Sequence, residues 1–382
     1  MACARVGLLL ASQLSLAAAQ FTIQGEVYNH VWNRKADMPG NRSDMTATTV
    51  GDAIYLIGGC SGDQEWNSDA KMYLCSSASK ENTRYAPASD TFTTLEAAPV
   101  TRYRHAAAAV GTKIYLFGGV DIQDNLRTQI DAFDTATKEW SSVGTMPNAT
   151  TDLMAVSASL EGEEVIFVMG GYTPPNYEAS DRMMIFYPQN NTFVAGPSMV
   201  QGRGDAFAAV AGGKVTVVGG FHHSNWDAPM KHVEMIDLAQ MNGGWTVKRA
   251  MTVARGDKAV AVLNDVLHVI GGETKNGDGH SVPLKDVEAY DAAKDMWYPG
   301  GEIQSHRFRF VAASHGNSIY IFGGQGYLIG TQGAAGSKYP VYKMVEQYEE
   351  TVAMSNEVSG ARAAGAGATA ALAGLSLLLR SA

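Results

Sequence analysis

One short string constrains this chain more than any other feature it carries. Residues 54–59 read IYLIGG, and close copies occupy 114–119, 166–171, 215–220, 267–272 and 319–324, 49 to 60 residues apart. A period of this size, met six times, marks an array of small units that bury one another's faces. The period therefore decides the fold before any local motif does.

Each unit has the grammar of short antiparallel strands. A small apolar strand such as 105–110 or 206–210 comes first. A tight turn follows (VGDA at 50–53, VGTK at 110–113, AGGK at 211–214, HGNS at 315–318), with Gly, Asn or Asp supplying the backbone angles a hairpin needs. The strand ending in Gly-Gly is next, then a variable loop and a third strand such as 128–134 or 286–291. A fourth strand is marked by Phe92, Trp140, Phe193, Trp245 or Trp297.

The sixth unit lacks that last aromatic, and the chain's beginning supplies one. Trp32 precedes Met38-Pro39 as Trp140 precedes Met146-Pro147, so the N-terminal strand is expected to complete the last blade. Closing the units into a ring protects the short edges that remain. The expectation is an all-β, six-bladed propeller with four antiparallel strands per blade.

Over residues 29–350 the repeats resemble the kelch family. An Arg opens the first strand, a diglycine closes the second, and a Tyr-Asp or Phe-Asp closes the third ahead of a Trp. Phe133-Asp134 with Trp140 and Tyr290-Asp291 with Trp297 carry the pattern most closely. Thr150 stands where other repeats have Arg, and Phe replaces Trp in the first and third; these departures are expected to weaken no blade. The resemblance implies a propeller, but propellers of this kind serve scaffolding, glycan binding and catalysis alike.

The two ends read as targeting segments. Residues 1–19 combine Arg5, an apolar run and Ala17-Ala18-Ala19, the order of a cleaved secretory signal; a membrane anchor is the alternative. Residues 351–382 hold small residues and an apolar stretch, the order of a GPI-attachment signal, against an uncleaved tail anchor or a plain terminus. That leaves 20–350 for the propeller. In an oxidising compartment Cys60 and Cys75 are expected to pair, contributing about 3 kcal/mol. Asn41, Asn148 and Asn190 open N-glycosylation sequons. A net charge of -9 without a basic run argues against nucleic acid, and any membrane contact is expected only through the C-terminal tail.

Candidate site residues come from the diglycine used as a ruler. Sixteen residues before its first Gly stand Arg42, Arg102, Arg203, Arg255 and Arg307, with Met154 in the third repeat; aligned on Met146-Pro147, that repeat offers Thr150 instead. Two residues further on are Asp44, Arg104, Asp152, Asp205, Asp257 and Arg309. Ring symmetry predicts a mouth lined by these six beside a structural ring of five Arg. The plain role is Arg-x-Asp ion pairing between blades (Arg42/Asp44, Arg203/Asp205, Arg255/Asp257); the sharper one is a polar ligand site.

Trp66 and Trp226, with Tyr177 and Tyr327 in corresponding loops, offer sugar-stacking faces, or else pack under their own loops. His222, His223 and His232 with Asp227 are weak metal candidates, as is the turn at 276–280 for calcium. His105 is expected to be a packed residue. No cofactor is expected.

Together these features suggest a secreted or surface-attached recognition module binding an extracellular glycan or protein. The kelch resemblance also admits an extracellular carbohydrate enzyme of epimerase or oxidase type, or a structural adhesion or coat protein. A copper-radical oxidase would need a Cys free to form a thioether.

Overall fold

The computed structural model describes residues 19–353 apart from 24–25, 70–71, 175, 177 and 223–227. The proposed signal and the C-terminal tail thus fall almost wholly outside the described residues.

Six antiparallel sheets form the blades. Blade 1 is Thr46–Val50, Ala53–Ile57, Asn82–Ala86 and Thr91–Thr94. Blade 2 runs Ala106–Val110, Lys113–Phe117, Gln129–Asp134 and Glu139–Thr145. Blade 3 is built from Met154–Leu160, Glu163–Met169, Met183–Tyr187 and Thr192–Ala195. Blade 4 is Phe207–Ala211, Lys214–Val218, Val233–Asp237 and Thr246–Val247, with a short 3-10 turn at Leu238–Gly243. Blade 5 uses Ala259–Leu263, Val266–Ile270, Ser281–Asp291 and Met296–Arg307. Blade 6 takes Val311–His315, Ser318–Phe322 and Val345–Ala353 from the end of the chain, and Glu26–Arg34 from its beginning.

That last pairing runs from Val27 opposite Ala353 to Arg34 opposite Glu346, closing the ring as the sequence predicts. Ala19–Ile23 adds a further outer strand to the same sheet. The first strands touch their neighbours all the way round, blade 6 against blade 1 included.

The core lies between blades. Apolar residues of one sheet face those of the next: Tyr55 and Ile57 of blade 1 cluster with Ile114, Leu116 and Phe133 of blade 2. On the outer strands the expected aromatics each meet the residue opposite on the third strand, with centroids 5.1 Å apart for Phe133–Trp140, 4.7 Å for Tyr290–Trp297 and 5.4 Å for Trp32–Tyr348. Trp140, Trp245 and Trp297 also donate their indole N–H to Glu96, Pro197 and Arg249 carbonyls in the loop before their blade, at 3.0, 2.8 and 2.8 Å. In blades 1 and 3, Phe92 on Tyr85 and Phe193 on Phe186 keep the stacking, at 4.7 and 5.0 Å, but a Phe has no such donor.

The diglycines sit at blade junctions. A Cβ on Gly118 would lie 2.3 Å from the Thr150 carbonyl oxygen, and one on Gly323 would lie 2.1 Å from that of Arg42. Both glycines also have φ near +60° (61° and 65°), where a side chain is strained. The pairs recur because the next blade's backbone passes there with no room for a side chain.

The candidate functional site at the propeller mouth

Strand direction puts the loops between blades and the loops after the diglycines on one face. In each blade the carbonyl of the residue at the Arg position accepts from the second Gly of the preceding blade, as in Gly59 N–H to Arg102 O (2.8 Å) and Gly324 N–H to Arg42 O (2.9 Å). Gly119 N–H makes the same bond to Thr150 O at 2.9 Å, so Thr150, not Met154, is the third repeat's equivalent. Counting back fails there because both strands of that hairpin are seven residues long where other blades have five.

The five Arg are wholly buried and point into the blades. Arg102, Arg203, Arg255 and Arg307 donate Nη1 to the carbonyl of their own blade's first Gly, at 3.1, 3.3, 2.9 and 3.1 Å. Their Nη2 atoms reach a carboxylate on the third strand: Asp131 at 2.7 Å, Glu234, Glu288 at 2.7 Å, and Glu346. Asp286 also accepts from Arg255. Arg42 uses Thr83 Oγ1 at 2.9 Å, with Glu81 at 3.6 Å.

Several of these acids also bind the loop that leads into their own blade; Glu288 accepts from Thr252 N–H and Val253 N–H at 2.8 and 3.2 Å. The Arg brace their own blades, and the expected Arg-x-Asp ion pairs are not found among the described residues. The residue between Arg and Asp makes a bridge to the residue after the diglycine, as Ser43 does with Cys60, and the next one turns left-handed. The two side chains therefore leave the chain in different directions.

Those left-handed residues form the mouth. Asp44, Arg104, Asp152, Asp205, Asp257 and Arg309 have φ of 52°, 54°, 56°, 50°, 49° and 53°. Each donates its N–H to the carbonyl of its predecessor round the ring, Arg104 to Asp44 at 3.1 Å and onward until Asp44 donates to Arg309 at 3.0 Å. The result is a closed circle of six backbone hydrogen bonds, one across every blade junction. Aspartate tolerates this conformation better than most side chains, which gives four of the positions a backbone reason for their residue type.

Each of the two Arg then sits between two of the four Asp. Arg309 Nε donates to Asp257 at 3.0 Å and lies 3.8 Å from Asp44; Arg104 Nε stands 4.0 Å from Asp44 and 3.8 Å from Asp152. Asp205 has an Asp on either side in the ring and accepts from Tyr172 Oη at 3.1 Å. Burial and the neighbouring Asp152 and Asp257 push the Asp205 carboxyl well above the usual range, and burial also raises Asp44 despite its two Arg neighbours. Asp152 and Asp257, with burial opposing them, hold Arg104 and Arg309 more firmly protonated than usual.

Beneath the ring is a cavity of about 60 Å³, bordered also by His105, Phe207 and Phe310. Burial and nearby Arg102 depress His105 to about 3. It is a packed residue, as expected, and one that also borders the mouth.

Several contributors were legible but unread. Gln64 bridges Arg309 and, at 3.0 Å, Asp44; Tyr172 and Glu273 occupy the position just after the diglycine, and burial raises Glu273. The clamp acids also had a signal, since Asp131, Glu234, Glu288 and Glu346 each stand two residues before the buried third-strand residue Phe133, Ile236, Tyr290 or Tyr348.

The loop candidates divide. Gln64–Asn67 and Met72–Cys75 of blade 1 pair with each other and with Lys338–Tyr339 of blade 6, making a three-stranded platform on the mouth face. A Cys60–Cys75 disulfide holds its base, as expected, and occupies the sulfur that a copper-radical thioether would need. Trp66 is not a free stacking face: it packs on Tyr73 at 5.2 Å, which packs on Tyr339 at 4.8 Å. Tyr327 is 51% exposed. Trp226, Tyr177 and His223 lie outside the described residues. His222 Nδ1 bonds the Gly202 carbonyl at 2.8 Å and His232 faces Glu234 at 3.1 Å, so these two serve separate partners. At 276–280, Asn276 Oδ1 accepts from Asp278 N–H and His280 N–H at 3.0 and 2.9 Å, closing a turn. Asn41 and Asn190 are exposed and Asn148 is half-buried.

Comparison with known proteins agrees with this geometry. The chain is similar to Kelch-like protein terF of Aspergillus terreus (25% identity over 265 residues, 67% of this chain and 55% of the relative). It also resembles human Kelch-like protein 23 (25%, 52% of this chain and 34% of that one) and alpha-scruin of Limulus polyphemus (23%, 70% and 28%). It spans about half the length of the first of these relatives and about a third or less of the other two. The solved structure of YjhT superposes with a TM-score of 0.64 at 16% identity, covering 82% of this chain and 96% of that one, a likeness of fold. Residues 71–329 match the Attractin/LZTR1 beta-propeller model, and with well over half its length so matched the chain belongs to that kelch-type propeller family.

Proposed function

We propose that this protein is an extracellular recognition module, held at a cell surface through its C-terminal tail, that binds a protein partner on the mouth face. The observation that carries this reading is the tip of the blade 6 loop. Tyr327 and Ile329 are 51% and 52% exposed on a loop that is otherwise firmly built. Ile329 exchanges two backbone hydrogen bonds with Lys338 (2.8 and 3.0 Å), and Lys338 belongs to the platform over the disulfide. An apolar tip held in one conformation loses little entropy on binding, which favours a protein contact. The central ring, by contrast, spends its charges on itself.

The test uses the full chain, released from the surface of its producing cells and applied to intact cells. Binding should be abolished by trypsin treatment of the cells, survive glycosidase treatment, and fall about tenfold or more in Tyr327→Asp/Ile329→Asp at unchanged melting temperature. Binding removed by glycosidase and indifferent to the double variant would instead support a glycan ligand. A chain that stays in the cytosol of its producing cell would defeat the extracellular part.

A further inference from the structure

Blade 3 is the one that lacks the arginine clamp, and it lacks both halves. Thr150 replaces the Arg, its hydroxyl turning back to the Asn148 carbonyl at 3.5 Å. Met184, opposite Val168, replaces the acid that stands as Asp131 opposite Leu116 and as Glu234 opposite Val217. The space between them is a cavity of about 30 Å³ bordered by Asn148, Thr150, Gly170, Ser180, Arg182 and Met184. The residue that empties this slot also completes the sequon Asn148-Ala149-Thr150.

We infer that Asn148 carries an N-linked glycan whose first N-acetylglucosamine closes the slot. This rests on the extracellular reading above. In the transfer, Asn148 Nδ2 bonds the anomeric carbon of a lipid-diphosphate-linked oligosaccharide. The bond from that carbon to the diphosphate oxygen breaks, the lipid diphosphate leaves, and Nδ2 gives up one proton.

The chemistry of the slot fits the acetamido group of that sugar. A guanidinium would find no carboxylate here, because Met184 has taken its place. A neutral amide needs none. Its N–H suits the Gly170 carbonyl, the counterpart of the carbonyls that accept Arg Nη1 in four other blades, and its oxygen suits Arg182 at the rim. Its methyl matches Met184. The other two sequons offer no such seat. Asn41 adjoins Arg42, which fills its own slot, and Asn190 Oδ1 is held by Thr192 N–H and Oγ1 at 3.2 and 2.6 Å in the opposite-face turn.

The experiment measures glycopeptide occupancy and thermal melting of the full chain from a secretory host. Asn148 should be occupied, and Asn148→Gln should melt about 2 °C or more lower while Asn190→Gln does not. An endoglycosidase that leaves the first sugar should preserve the melting temperature, and an amidase that removes it should lower it. Thr150→Arg/Met184→Glu, which loses the sequon but restores the clamp, should melt at or above the glycosylated protein. A bare Asn148 beside an occupied Asn190 overturns this inference alone, as does equal melting with and without the first sugar. No sequon occupied in a chain that never left the cytosol overturns it together with the extracellular reading.

Discussion

Two rings of side chains lie two residues apart in sequence and do opposite work. The clamp ring, Arg42 to Arg307, is turned into the blades and joins the diglycine carbonyl, the third strand and the loop leading into the blade. The mouth ring, Asp44 to Arg309, is turned into the channel, and its backbone does the joining while its side chains settle charge among themselves. A repeat thus fixes where a residue sits, but the torsion between neighbours decides which way it serves. The comparison predicts that clamp substitutions act on stability and mouth substitutions act mainly on pH response.

The largest effect should come from the clamp. Arg203→Ala leaves Glu234 buried beside His232 without its cation, and should cost about 3–5 kcal/mol in denaturant unfolding. Arg203→Met/Glu234→Leu should recover part of that loss even though it forfeits the Glu234 bonds to Val200 N–H and Gln201 N–H. A double variant worse than the single would mean that the loop bonds, not the charge pair, carry the clamp.

A smaller effect of opposite sign is expected between the rings. Lys258 is fully buried, its Nζ has no hydrogen-bond partner among the described residues, and burial pulls it down to about 7. A lowered amine costs stability wherever the unfolded chain is protonated and the folded one resists it. That cost is greatest below about pH 7 and vanishes above the ordinary value of 10.5. Lys258→Met should therefore raise the melting temperature by about 2–4 °C at pH 7, with the gain fading toward pH 10. A gain that does not change with pH would assign it to packing.

The smallest effect should come from the mouth. Asp205 prefers its proton in the folded state, so its contribution is complete below the ordinary 3.8 and is lost as pH rises through the raised folded value. Asp205→Asn stays neutral throughout. Its melting temperature relative to the parent should climb by about 1–2 °C from pH 4 to pH 8. A flat difference would show that Tyr172 and the distant Arg already satisfy the ionised carboxylate.

Most of the fold was legible because it is repeated. The diglycine spacing, the third-strand aromatics facing the fourth, and Trp32 standing in for a missing outer aromatic all survive as geometry. The mouth positions were legible too, with an alignment on Met146-Pro147 replacing the sixteen-residue offset where the third repeat's longer hairpin breaks it. Their partners were not. The Arg-x-Asp reading assumed that close residues face each other, and a single left-handed residue at φ 52° undoes that assumption at Asp44. Trp66 looked available because sequence does not reveal that a blade 6 strand, more than 260 residues away, comes to lie beside it. The blade 3 slot was invisible for a related reason: Thr150 stood out alone, whereas its meaning depends on Met184 across the sheet.

The clasp between the chain's two ends has a mechanical consequence. Val27 lies opposite Ala353 and Arg34 opposite Glu346, so residues 27 and 353 leave the strand pair at the same end. Tension applied between them would peel the hydrogen bonds apart one after another, like opening a zip, instead of shearing them all at once. A tether at residue 353 alone puts no load on the pair; a pull shared between both ends loads its hydrogen bonds one at a time.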